Sequence, residues 1–482
     1  MDNEKTVVSS MLWKFTERGA AQIFTLIVQI VLARLLSPED FGTLAILLVF
    51  VNISNVLIQK GFASALVQKA EVSELDINTV LFFSEGIALL LYIILWFAAP
   101  FIESIYSTNN LALYLRVISL SLFFGSFYSI ENSILIRAMR FKQLFFSSFL
   151  ATIISGITGI VLAYMGAKCW ALVIQNVVQQ MLFAVLSFPF CRWKVKVQYS
   201  KESFQSLFGF GSKILLAEML YTGVENLRTL LIGARYLASD LAYYDRGQTY
   251  PSVAMRSIYD TLSSVLLPVF SRTQNNIKIL ANETSKSLGI SFYLVAPCFL
   301  GFAIIAEPFT EIFLSNKWIE CVPYMRIFCV YQLGILPYCI LRNVLYALGR
   351  SKESLKLEII KAFLTLLSIF IGLQLNTISI AMFSTIAVWI STILYGICVG
   401  KYVYMDWGKI GRDFLRICIY CIGMLILISF VNSFIDSAIV ELVIDVVFGG
   451  VLYILFSIIT KDDYFKSIIR LLNGLVENWK KS

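Results

Sequence analysis

The chain alternates apolar blocks of roughly 20 residues, the length of a membrane-crossing helix, with short polar breaks. The blocks lie near 11–34, 43–66, 78–100, 111–135, 143–164, 169–190, 205–233, 249–270, 287–313, 322–346, 355–374, 377–399, 413–435 and 438–460. At about 1.5 Å per residue, each block crosses about 30 Å of hydrocarbon as a helix. Helix is the form that satisfies backbone polar groups within one segment in lipid, and no alternating strand pattern of a β-barrel is visible. Breaks such as Ser37-Pro38-Glu39-Asp40, Thr108-Asn109-Asn110 and Gln274-Asn275-Asn276 carry turn formers. The pattern predicts an all-α integral membrane protein of about fourteen transmembrane helices, with no connection long enough for a soluble domain. From Lys461 onward, charges alternate with Phe465, Ile468, Ile469, Leu472 and Leu475, which predicts a short interfacial amphipathic helix.

Composition agrees with this reading. Of 482 residues, 58% are hydrophobic, 15% are charged and none is histidine. A soluble domain carries about 25% charged residues. The net charge of +8 does not suggest nucleic acid, because the cations sit between apolar blocks. With a cytoplasmic N-terminus, the inside segments hold 24 Lys and Arg, and the outside ones only Arg34, Lys168, Arg235, Arg246 and Lys317. Both termini are therefore expected in the cytoplasm, by the positive-inside rule. Lys14, Glu17 and Arg18 lie inside the first block, unlike the uncharged core of a cleaved signal. The nine cysteines fall mostly in apolar segments, and Cys418-x-x-Cys421 within a span merely sets two thiols on one face; they read as small apolar fillers.

An internal repeat is also visible. A shift of 201 places Glu17 on Glu218, Leu26 on Leu227, Ala33 on Ala234, Arg34 on Arg235 and Leu36 on Leu237, while Glu39 falls on Asp240. Arg140-Phe-Lys142 returns as Arg350-Ser-Lys352. The expected organisation is a first lobe over 1–200, a second over 201–400, two extra spans over 401–460 and a cytoplasmic tail over 461–482. Each lobe has an even number of spans, so the repeat is parallel, with the substrate path expected between halves.

Charges inside spans are costly, at roughly 2.5–3.5 kcal/mol each on insertion scales, and they face cavities or partners. In span 1, Lys14, Glu17, Arg18, Gln22, Thr25 and Gln29 share one helical face, a stripe suited to a water-filled cavity. Interfacial snorkelling of Lys14 and Arg18 is the plainer reading, but Gln22, Thr25 and Gln29 carry the stripe deeper. Span 7 carries Lys213, Glu218, Glu225, Asn226 and Arg228, in which Glu225 and Arg228 are spaced for an ion pair. Tyr243, Tyr244, Asp245 and Arg246 follow, as an interfacial aromatic belt or a sugar-stacking rim. Further charges in or near spans are Lys60, Glu85, Arg116, Glu131, Arg256, Asp260, Arg326, Arg342, Glu358 and Lys361.

Enzymes fit poorly. No phosphate-binding G-x-x-x-x-G-K-[ST] loop or metal-site spacing occurs, and without histidine there is no Ser–His–Asp site. The expectation is a transporter rather than an enzyme, without cofactor or metal. Any coupling to H+ or Na+ would use carboxylates such as Glu17, Glu218 or Glu225.

Val31-Leu-Ala-Arg-Leu-Leu-Ser-Pro-Glu-Asp-Phe-Gly42, followed by Gly61-Phe-Ala-Ser-Ala-Leu-Val-Gln68, resembles the opening of the Wzx-type polysaccharide flippases. These form the O-antigen, colanic-acid and teichuronic-acid branch of the multidrug/oligosaccharidyl-lipid/polysaccharide (MOP) exporter superfamily. The likeness continues through Trp170-Ala-Leu-Val, Tyr243-Tyr-Asp-Arg246, Lys317-Trp318 and Leu348-Gly-Arg350, covering roughly 8–400. Gln59 departs from it, since many relatives carry an acidic residue there. The resemblance implies two six-helix lobes around a central cavity, two extra helices, and alternating access that carries a polyprenyl-pyrophosphate-linked oligosaccharide to the outer leaflet. Lys14, Arg18, Lys213 and Arg228 would meet the diphosphate, and Gln22, Thr25, Gln29 and Asn226 the sugars. It further implies the bacterial cytoplasmic (inner) membrane and a role in surface polysaccharide biosynthesis, lipopolysaccharide included. Implied partners are the lipid-linked oligosaccharide, membrane lipids and polysaccharide polymerase or assembly proteins, with no nucleic acid. The alternatives are a cation-coupled drug or small-molecule exporter of the same superfamily, a lipid-linked peptidoglycan-precursor flippase, and a non-transporting scaffold of a polysaccharide assembly complex.

Overall fold

The structure is a computed structural model, and it describes residues 24–60, 66, 67, 69, 72–106, 108–191, 193–435, 437–466, 468 and 469. The described residues are helical, with no strand among them. They fall into two compact units, divided between Ala242 and Tyr243.

The N-terminal unit contains α1 (Phe24–Leu35), α2 (Pro38–Asn55) with a π-helical turn at Val56–Lys60, and α3 (Glu74–Tyr106). It continues with α4 (Leu111–Ile118), α5 (Ser121–Arg137), α6 (Phe141–Tyr164), α7 (Cys169–Cys191) and α8 (Lys201–Arg235). The C-terminal unit begins within α9 (Ala238–Thr273). It adds α10 (Ile277–Phe309), α11 (Val322–Ala347), α12 (Ser351–Leu373), α13 (Thr377–Gly400), α14 (Trp407–Asn432) and α15 (Ala438–Ile459). The described part of each apolar block falls on helix, with α4 and α5 sharing one block. Among the described residues, ten helical segments are long and apolar enough to cross a membrane. The described part of α1 is short, and α8, α9 and α12 are more polar than those ten.

Local sequence explains the breaks. Ser37 caps α2, its Oγ accepting from Asp40 N at 3.3 Å while Asp40 Oδ2 accepts from Ser37 N at 3.1 Å, with Pro38 opening the helix. At the repeat-related start of α9, Asp240 Oδ2 accepts from Leu237 N at 3.3 Å. The α5–α6 and α11–α12 junctions share one closing motif. Arg140 N donates to Leu135 O at 2.9 Å, and Arg350 N to Leu345 O at 2.8 Å. Met139 and Gly349 hold the left-handed position, at φ 55° and 69°.

Close approach between helices relies on residues without large side chains, as in other membrane bundles. A Cβ on Gly42 would sit 1.7 Å from the carbonyl oxygen of Ala238. Gly156 makes room for Val28, and Gly372 for Ile380. Apolar side chains also face outward, among them Phe97, Phe101, Phe363 and Ile393. In water such a surface would be unstable, but in hydrocarbon it carries no penalty.

Only the first residues of the helix expected after Lys461 are among the described ones. Its described beginning is anchored: Arg416 Nε meets the fully buried Asp462 at 3.1 Å, and Tyr464 donates to Asp413 at 2.7 Å. Tyr464 fills the space that Gly289 leaves open, and burial together with Asp413 pushes its phenol pKa up. Phe465 and Ile468 pack on the core of the C-terminal unit, while Leu472 and Leu475 lie outside the described residues.

Candidate functional site

A polar island stands within the apolar helices of the N-terminal unit. Gln59 lies in the π-helical turn after α2 and donates from Nε2 to Asn55 Oδ1 at 3.0 Å. Single π turns inside helices are rare and recur at functional sites. Gly125 of α5 faces this pair. A Cβ there would lie 2.8 Å from Gln59 Nε2, 3.3 Å from Asn55 Oδ1 and 3.8 Å from Gln180 Oε1 of α7. Glycine is thus what allows amides from three elements to converge. Next to it, Ser126 donates to Glu85 of α3. Farther along α5, Glu131 is fully buried, and neither carboxylate oxygen has a hydrogen-bond partner. The island sets neutral donors and acceptors beside two carboxylates, Glu85 and Glu131, and its amides suit a hydroxyl-rich ligand.

The residues singled out in the sequence distribute as follows. Lys14, Glu17, Arg18 and Gln22 lie outside the described residues, as does the side chain of Lys213. Thr25 and Gln29 are half-buried, one turn apart on α1. On α8, Glu218 and Glu225 are two turns apart on one face, and Arg228 Nη2 is 4.0 Å from Glu225 Oε2. Asn226 turns its amide onto its own helix, donating to Thr222 O at 2.7 Å.

The rim expectation requires correction at Tyr244. Its ring is buried and packs on Tyr324 and Phe328, at 5.2 Å and perpendicular to the latter. Tyr243 meets the buried Trp318 edge-on, with ring centroids 6.1 Å apart. Arg246 is buried and Asp245 half-buried. A Cβ on Gly247 would lie 2.3 Å from Tyr324 Cβ, so α9 and α11 touch almost backbone to backbone here. This tight crossing turns the Tyr244 ring into the core, where it cannot stack on a sugar. The segment joins two motifs distant in sequence, Tyr243-Tyr-Asp-Arg246 and Lys317-Trp318.

The C-terminal unit has its own charged network. Glu358 accepts from Tyr338 and, at 3.1 Å, from Tyr395, and it stands 3.7 Å from Arg342. Lys361 lies 4.1 Å from the centre of the Tyr338 ring, and Tyr259, Tyr338 and Tyr346 surround the Arg342 guanidinium at 5.4–5.7 Å.

Asn55, Gly125 and Gln180 do not stand out in the sequence beside the intramembrane charges. The signal was present in the amides: Asn52, Asn55 and Gln59 at helical spacing, and Gln175, Asn176, Gln179 and Gln180 within one apolar block.

The sequence pattern of the family described as Polysaccharide biosynthesis protein matches residues 31–323. The chain belongs to this family. Among curated relatives of this polysaccharide biosynthesis protein is the lipopolysaccharide biosynthesis protein WzxC of Escherichia coli. It is 23% identical over 354 residues, which cover 72% of this chain and 70% of the relative. The succinoglycan biosynthesis transport protein ExoT of Rhizobium meliloti is 22% identical over 70% of this chain and 68% of its own length. The teichuronic acid biosynthesis protein TuaB of Bacillus subtilis is 20% identical over 62% of each chain. Among solved structures, the inward closed conformation of the lipid II flippase MurJ superposes with a TM-score of 0.72 at 18% identity, covering 94% of this chain and 99% of that one. An inward-facing multidrug resistance MATE family transporter of the MOP superfamily gives 0.61 at 14%, covering 81% and 95%. The fold is that of these transporters, and the protein is a multi-pass membrane protein.

Proposed function

We propose that this polysaccharide biosynthesis protein translocates a polyprenyl-pyrophosphate-linked oligosaccharide across the bacterial cytoplasmic membrane by alternating access, for surface polysaccharide assembly. The observation that carries this reading is the convergence of Asn55, Gln59 and Gln180 at Gly125. Neutral amides inside apolar helices match sugar hydroxyls. Thr25 and Gln29 extend the same chemistry on α1. Lys14, Arg18, Lys213 and Arg228 supply charge for the diphosphate, and the lipid tail stays in the bilayer. No covalent bond of the substrate changes, so the protein acts as a transporter. Both termini are cytoplasmic in this reading, and H+ or Na+ coupling runs through Glu17, Glu218 or Glu225. Polymerase and other assembly proteins receive the product.

The test uses a host whose own polysaccharide exporter is deleted. Asn55→Leu with Gln180→Leu is expected to lower surface polysaccharide at least about tenfold, at unchanged protein level in the membrane. Arg18→Gln with Arg228→Gln is expected to abolish it. Normal export from both double variants would overturn the assignment. Loss of resistance to a cationic drug, with export intact, would favour the drug-exporter alternative.

A further inference from the structure

The hairpin of α14 and α15 holds a second polar site, at the end where its two helices are joined. Asn432, the last residue of α14, donates from Nδ2 to Glu441 Oε1 at 3.0 Å and to Asp445 Oδ2 at 3.1 Å. Glu441 and Asp445 stand one turn apart on α15, a spacing at which like charges repel. Asp445 is 4% exposed. Its Oδ1 is shielded and accepts no hydrogen bond, and the same holds for Asn432 Oδ1. Glu307 of α10 and Glu311 of the adjoining π-helical turn bring further negative charge close to Glu441. Glu307 is paired with Arg326 at 3.0 Å, but among the described residues no Lys or Arg pairs with Glu441 or Asp445.

These oxygens lack a positive partner. Asn432 has committed its amide hydrogens to the two carboxylates, and both remaining oxygens are acceptors removed from water. Carboxylate and amide oxygens together are the ligand set of hard cations. We propose that Asn432, Glu441 and Asp445 form a binding site for a small hard metal cation, which Asp445 Oδ1 and Asn432 Oδ1 ligate directly. Such an ion would satisfy both orphaned acceptors and relieve the repulsion along α15. It would also tie α14 to α15, the two helices beyond the internal repeat. The proposal concerns ion binding and does not rest on the transport reading.

The test is thermal unfolding of the purified full-length chain in detergent at neutral pH. NaCl or CaCl2 is titrated against choline chloride at matched ionic strength. One of the two salts is expected to raise the Tm saturably. Asp445→Asn, close in shape, is expected to move half-saturation at least about tenfold higher, and Asn432→Ala to do likewise. Glu283→Gln, near the opposite end of α10 from Glu307, is expected to leave half-saturation within about threefold. Direct uptake of radioactive 22Na+ or 45Ca2+ by the protein in nanodiscs gives the same answer should one variant unfold. Three results would each overturn the proposal: no saturable response to either salt, a response unchanged in both site variants, or stabilisation that follows acidification alone.

Discussion

The two units solve the same problem in opposite ways. Each must hold polar side chains among apolar helices. At one cluster of the C-terminal unit the groups neutralise one another, Glu358 lying between Arg342, Tyr338 and Tyr395. In the N-terminal unit the groups around Gly125 are neutral amides, packed against a glycine whose missing side chain lets them approach. Paired charges consume each other's binding capacity and fix a local structure, although such pairs add little net stability. An amide has two donors and two acceptor lone pairs, so the single bond between Gln59 and Asn55 leaves capacity for a ligand. Number of charges is therefore a poor guide to where a membrane transporter meets its substrate. What matters is whether each polar group already has a partner.

Several variants would break or sharpen this contrast. Glu358→Leu should have the largest effect, since it strands Arg342 with its charge uncompensated. A loss of about 3–5 kcal/mol is expected, visible as a much lower Tm, whereas Glu358→Gln should lose less. A Tm unchanged in Glu358→Leu would show that the network contributes no structure. Gly125→Val should act on function instead, because its side chain would push the converging amides aside. Transport is expected to drop about tenfold, equivalent to about 1.4 kcal/mol, with a smaller change in Tm. Equal losses of transport in Glu358→Gln and Gly125→Val would erase the distinction between the units. Gly349→Ala should destabilise by about 1–2 kcal/mol, because its left-handed backbone disfavours a Cβ. Gln59→Leu should be mildest, at about 0.5–1.5 kcal/mol for one hydrogen bond, measured as midpoint shifts in chemical unfolding.

Much of the fold is legible in the sequence. The apolar blocks coincide with helices, and Ser37-Pro38-Glu39-Asp40, a polar break on paper, is a capping box in the structure. Less of the candidate site is legible. Glu225 and Arg228 do approach, one helical turn apart, because that pairing is local. Tyr244 was misplaced because its surroundings come from residues some 80 positions later, Tyr324 and Phe328. Asn55 and Gln180, more than 100 positions apart, have significance only once α5 and α7 bring them to the same glycine.

The sequence by itself determined the membrane environment, the helical class, the places where helices begin and end, and the family. These follow from transfer of side chains into hydrocarbon and from hydrogen bonds spanning a few residues, both of which add up locally along the chain. Only the tertiary structure decided which polar groups are satisfied and which are left open. Glu358 and Asp445 are both carboxylates in apolar helices. One is surrounded by donors from two helices, and the other keeps an oxygen with none. That difference depends on which helices pack together, and packing is non-local.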